Sequence, residues 1–178
     1  MEDLRNQIQN QKIATVGDKS LWTVSMSKND LFNETSARSM YFLKLNSKEP
    51  VTSDAAVILD DDRNLFNIYL DNAVQELLVL LARRIPDNTS DYPELFDEDV
   101  DSAVYNDNFM FEVSLVMSSN HDSTLLPTLR VACKEFLVKR TLEQWYGAEF
   151  GSQMERSNIV HLLQYRKTSV ARRVRPLL

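Results

Sequence analysis

Few side chains in this sequence could do covalent or metal chemistry. Cys133 is the single cysteine, and His121 and His161 are the two histidines, forty residues apart. A thiol beside an imidazole makes a nucleophile and its base. Cys133, however, falls mid-helix on an apolar face, where a cysteine acts as a small hydrophobe. His121 reads as a residue of the turn before that helix, and His161 as a partly exposed position on a later one. Asp60, Asp61 and Asp62 offer three carboxylates in a row. Consecutive helical residues point in different directions, and no other acid pattern completes a cation site. Their placement at a helix start is explained by the helix dipole. No zinc-ligand spacing occurs, and three glycines in the whole chain do not make a glycine-rich phosphate cradle. Trp145 and Tyr146, just before Gly147, read as core or interface aromatics, since aromatics are not interleaved with lysines as in single-strand binders. No catalysis, cofactor or metal is expected.

The chemistry the sequence does offer is recognition through charge. Residues 87–107, DNTSDYPELFDEDVDSAVYND, hold eight acids and no base. Aromatic and apolar residues sit among them, which marks a long loop that docks on something. Asp91, Tyr92, Leu95, Phe96, Asp97, Glu98, Asp99 and Asp101 are its candidate partner contacts. The last thirteen residues, 166–178, hold five cations and no anion: Arg166, Lys167, Arg172, Arg173 and Arg175. Val170, Val174, Leu177 and Leu178 are spaced between and after them, and Pro176 stops a helix. A solvating tail would not need these apolar residues, so 166–178 reads as a docking arm. Its cations would pair with acids of a partner while the apolar residues fill pockets; the other reading turns its arginines toward DNA. An acidic and a basic segment on one chain can pair within a protomer or head to tail between protomers, which gives rings or filaments.

Helices must position these segments. Ser27 and Asp30 open a helix over 28–45, with Leu31, Thr35, Phe42 and Leu45 on one face and Arg38 interrupting it. The clearest element runs from Asp60–Asp62 to Arg83 and Arg84 and stops at Pro86. Its stripe (Phe66, Tyr69, Ala73, Leu77, Leu80 and Leu81, widened by Leu70, Val74 and Leu78) is broad enough for the central helix of a bundle. Residues 108–117 alternate as a strand, with Phe109, Phe111, Val113 and Leu115 on one side. Its partner would be the 17–25 stretch, part of the acidic loop, or a neighbouring subunit. A second strong helix starts near Ser123 and Pro127 and ends at Gly147. Its face runs through Leu129, Ala132, Cys133, Phe136, Leu137, Thr141 and Trp145, with Arg140 out of character. The last helix carries Ile159, Leu162, Leu163 and Arg166. Residues 1–20 are polar and read as an extended or weakly helical arm.

The expected organisation is therefore mainly α: a bundle of about four helices with a small β element and extended terminal arms. Residues 1–24 form a polar N-terminal arm. Residues 25–165 form the helical domain, with the acidic loop 87–107 and strand 108–117 inserted. Residues 166–178 are the basic docking arm. The 178 residues suffice for one domain with a sizeable core. A net charge of −6 argues against bulk attraction to nucleic acid or an anionic membrane. One cysteine permits no internal disulfide. MEDLRNQIQNQKIATVG lacks the apolar run of a secretory signal, and no stretch approaches the length of a membrane span, so no membrane contact is expected.

The order of elements resembles a known family. It runs from SKNDLFNETSARSMYF through LDDDRNLFNIYLDNAVQELLVLL and NFMFEVSLVMSSNHDSTLLPTL to KEFLVKRTLEQWYG, and ends in YRKTSVARRVRP. This is similar to the small head–tail connector proteins (neck ring, or adaptor) of tailed phages and prophages of Bacteroides-type bacteria, including crAss-like phages, over roughly residues 25–178. The resemblance implies a non-enzymatic virion protein made in the host cytoplasm. It would form a homo-oligomeric ring, commonly a dodecamer, beneath the portal protein and against adjacent neck or tail ring proteins. The ring joins head to tail and extends the DNA channel, and packaged DNA passes without sequence-specific binding. Net acidity suits such a conduit, because strong phosphate pairing would stall transit. The N-terminal arm and acidic loop are larger than a minimal connector requires. The alternative is a DNA-binding regulator that uses the C-terminal helix and basic tail.

Overall fold

Two nine-residue alternating segments meet at the centre of the fold. In the computed structural model, which describes residues 13–46, 57–86, 93–96, 103–105 and 110–165, β2 (Lys19–Ser27) pairs antiparallel with β4 (Met110–Ser118) along its full length. Trp22 lies opposite Leu115, Val24 opposite Val113 and Met26 opposite Phe111. With a side-chain period of two, these six share one face, and all six are buried. β1 (Ile13–Val16) folds back on β2 through Gly17 and Asp18, with Val16 opposite Lys19. Gly17 has φ 59°, the left-handed conformation that two-residue hairpins require. β3 (Ala103–Tyr105) covers part of the other edge of β4, giving the order β1-β2-β4-β3, all antiparallel.

Residues 13–16 and 19–24, expected as part of an arm, are thus strand. Trp22 and Val24 each bury a large apolar surface, which outweighs the polar character of their neighbours. The strand partners anticipated for 108–117 are found in two of the three expected places, the 17–25 stretch and the end of the acidic loop.

α1 (Lys28–Asn46) continues directly from β2. The Asp30 amide lies 3.4 Å from Ser27 Oγ, at the expected cap. Leu31, Phe32 and Thr35 are buried and Phe42 packs on Tyr146 and Phe150, but Leu45 faces solvent. Ser39 Oγ accepts from the Ile58 amide at 3.1 Å, and Ser36 Oγ donates to the Ile58 carbonyl at 2.7 Å. The two serines clamp a fully buried residue onto α1. A short 3-10 turn, Asp60–Asp62, leads into α2 (Arg63–Leu81). Asp62 accepts from the Leu59 amide at 2.9 Å, so the acids serve the helix start as expected. α2 ends at Leu81, a turn short of Arg83 and Arg84, and buries Phe66, Leu70, Ala73, Val74, Leu77 and Leu81.

α3 (Leu126–Tyr146) follows a second 3-10 turn and stops at Gly147, whose φ is 63°. The cap before it is Asp122, which accepts from the Thr124 amide, rather than Ser123. α4 (Ser152–Gln164) closes the described chain. α3, not α2, is the central helix: it packs on α1, α2, α4 and β2. The wide stripe of α2 pointed to α2 as the central helix, but Leu65, Ile68 and Val79 on its outer side are exposed. The described residues thus form a mainly helical fold of four α-helices with a small four-stranded open sheet. The apolar core lies between the helices and the inner face of that sheet.

Candidate functional site

Of the side chains with catalytic potential, Cys133 and His121 are engaged in the fold. Cys133 is fully buried, and burial pushes its thiol up to about 12, which keeps it protonated at neutral pH. His121 is buried in the turn after β4. Its Nε2 lies 3.0 Å from the Leu163 carbonyl oxygen and its Nδ1 3.3 Å from that of Ser118, and its ring stands edge-on to Trp22. It therefore links the end of the sheet to the end of α4. His161 is exposed beside Tyr165. Among the described residues, no cluster of three or more His, Cys, Asp or Glu is arranged to hold a metal ion.

The two arginines that interrupted apolar faces cross-link helices. Arg38 of α1 makes a two-pronged contact with Glu135 of α3, at 2.8 and 2.5 Å, and reaches Glu34 at 2.6 Å. Arg140 of α3 holds Glu76 of α2 at 2.9–3.1 Å. Lys134 pairs with Glu34 at 3.0 Å, and Lys139 with Glu155 of α4 at 2.7 Å. Hydrogen bonds from Lys134 and then Arg38 hold the Glu34 carboxyl below its usual range, and the Arg38 guanidinium does the same for Glu135. Burial alone would raise Glu143. Bonds from Ser152, the Phe150 amide and Arg140 outweigh it and hold the carboxyl low. The open groove beside α1, lined by Asp30, Glu34, Arg38, Tyr41 and Lys134, contains part of this lattice.

The acidic segment is anchored to its own sheet. Leu95, in a short 3-10 turn (Pro93–Leu95), is buried against Leu21 and Val116 on the outer face of the sheet, with Phe96 packed beside it. Leu95 is therefore not a free partner contact, because its apolar surface already covers the back of β2 and β4. At the far end of the segment, the Tyr105 hydroxyl donates to Asp71, and Lys28 Nζ lies 4.7 Å from the centre of the Tyr105 ring. Asp91, Tyr92, Asp97, Glu98, Asp99 and Asp101 lie outside the described residues. So does the docking arm entirely: Arg166, Lys167, Val170, Arg172, Arg173, Val174, Arg175, Leu177 and Leu178.

A surface not foreseen from the sequence lies between the end of α2 and α4. Val79, Val160 and Leu163 floor a cavity of about 420 Å³, and Arg83, Arg84 and Arg156 border it. Arg84 is fixed in place: its Nη2 donates to the Leu163 carbonyl at 3.0 Å, and its own carbonyl accepts from the Val116 amide at 2.7 Å. Arg83 and Arg156 are exposed. Arg83 and Arg84 read from sequence as cations completing a helix end. Arg156 and Val160, one turn apart on α4, were the signal for a mixed cationic and apolar face, but nothing in the sequence placed them opposite Val79. No family model, curated protein or solved structure matches this chain.

Proposed function

We propose that this chain is a structural virion protein, a subunit of a ring in the phage neck that joins the portal to the tail and extends the DNA channel. The observation that carries the reading is a groove bordered by three arginines on a chain that also holds a segment of eight acids and no base. The arginine-bordered groove is built by α2 and α4, on the helical side of the sheet. Leu95, within the acidic segment, packs on the outer face of the sheet. Two unlike, complementary surfaces join copies head to tail, and a head-to-tail contact that closes makes a ring. The architecture that the connector resemblance implies, a helical bundle with a small β element, is also the architecture of this chain. Cross-helix ion pairs make the module stiff, which a conduit wall needs. In this reading the arm 166–178 leaves α4 after Tyr165 and clips onto the portal or an adjacent ring protein.

Gold-labelled antibody against this chain, applied to intact phage particles with gently opened necks, tests the reading. Label at the single tail vertex supports it. Label over the whole capsid makes the chain a head component, and absence of label on opened particles removes the virion role. One observation favours a second reading, a DNA-binding regulator: Arg83, Arg84 and Arg156 converge on one surface and could meet phosphates. Duplex binding that weakens steeply with salt would support that reading, and a negative gel shift at low salt would remove it.

A further inference from the structure

Among the described arginines, Arg38, Arg63 and Arg140 each pair with a carboxylate at 2.5–3.1 Å. Arg83, Arg84 and Arg156 are different: no described acid forms an ion pair with them, and they border the same cavity. Its floor is apolar, with Val79 left 73% exposed and Val160 38% exposed. Phosphate recognition needs the cations but has no use for the valines. An acidic peptide with an apolar residue uses both, since the carboxylates meet the guanidiniums in two-pronged contacts and the apolar side chain fills the floor.

We propose that this groove binds the stretch Asp97-Glu98-Asp99-Val100-Asp101 of a second copy of this chain, and that this contact is the lateral joint of the ring. The proposal rests on the ring reading above and names its interface. The stretch has four carboxylates around one valine, the composition the groove complements. The basic tail is excluded as the occupant despite its apolar residues, because its five cations would face three arginines. The stretch is tethered on both sides, to Leu95 on the outer face of the sheet and to Ala103 in β3. A cavity of about 420 Å³ has room for a valine and its neighbours.

Charge reversal on the full chain tests this. One variant carries Arg83→Glu and Arg156→Glu, both at exposed positions; Arg84 is kept for its bond to Leu163. The other carries Asp97→Lys and Asp99→Lys. Mass is read by light scattering after size exclusion, and folding by circular dichroism. The expected result is an oligomeric wild type, a monomeric form of each variant, and recovery of the wild-type mass when the two are mixed, since the new glutamates of one then meet the new lysines of the other and the unchanged groove meets the unchanged stretch. If both variants assemble like the wild type, the groove is not the joint, while the ring reading stands. A wild type that remains monomeric at all concentrations and salts defeats both. If the mixture stays monomeric but placing all four changes in one chain restores the wild-type melting temperature, the stretch occupies its own groove and the contact between copies is wrong. If the groove variant instead loses duplex binding with no change in mass, the arginines serve phosphates and the proposal falls.

Discussion

Glu143, near the end of α3, caps the first turn of α4 through Ser152: one carboxylate oxygen accepts from the Ser152 hydroxyl at 2.5 Å, and the other accepts from the Ser152 amide at 3.0 Å. The same carboxylate takes the Phe150 amide at 3.1 Å and the Arg140 guanidinium at 3.3 Å. A helix start is usually capped by its own preceding residue. Here Gly151 has no side chain to offer, and the neighbouring helix supplies the acceptor. Replacing Glu143 by Ala leaves part-buried donors unmatched, at a cost of about 1–3 kcal/mol in all. A fall in melting temperature of about 4–10 °C is expected for a chain of this size, with faster amide exchange in α4. An unchanged melting curve would show that Glu143 does not hold α4.

Arg38 and Glu135 join α1 to α3 at a partly exposed site, so their pair is worth about 0.5–1 kcal/mol. A double-mutant cycle with Arg38→Ala and Glu135→Ala should give a coupling in that range, reduced in 1 M salt. Arg38→Lys should recover only part of it, because an ammonium cannot make the two-pronged contact. Full recovery by lysine would contradict the geometry.

Acid should loosen the helical layer. Glu34, Glu135 and Glu143 all have carboxyls held below their usual value in the fold. The unfolded chain therefore binds protons that the folded chain refuses. The stabilisation is complete above the unfolded glutamate value of about 4.3 and is lost as pH falls through the lower folded values. The urea midpoint should hold between pH 7 and about 5 and drop below that. The drop should be smaller in the Glu143→Ala variant, which has lost one of the three groups. A midpoint that rises on acidification would refute the sign.

Cys133 should be silent toward thiol reagents. With its thiol buried and raised to about 12, the native protein should not react on the time scale of a free thiol at pH 8, and full labelling should appear only in denaturant. Rapid native labelling would mean that the α3 core opens readily.

Much of the fold could be read from the sequence because its signals are local. The α2 stripe, the Gly147 stop and the alternation over 108–117 each identify their element from residues within one or two turns. Arg38 and Arg140 looked anomalous because their partners Glu135 and Glu76 lie 97 and 64 residues away. A single helix pattern cannot display such a partner. β2 was partly concealed: its outward residues Thr23 and Ser25 dilute the apolar signal of Trp22 and Val24, and the flanking polar residues favour a reading as an arm. The arginine groove was hidden for a similar reason. Arg83, Arg84 and Arg156 come from two helices and meet only after α4 packs back across the end of α2. Leu95 was recognised as apolar in an acidic setting, but its destination, the back of its own sheet, depends on the pairing of β2 with β4.

The serine clamp on Ile58 has an engineering consequence. Ser36 and Ser39 grip both backbone groups of Ile58 and thereby fix the point at which the chain rejoins the core. With both of its ends held at α1, lengthening the connection between Asn46 and Ile58 costs only about 0.6 kcal/mol per doubling of its length. An epitope or fluorescent module spliced upstream of Val57 should therefore leave the core intact, and a melting temperature unchanged by the insert would bear this out.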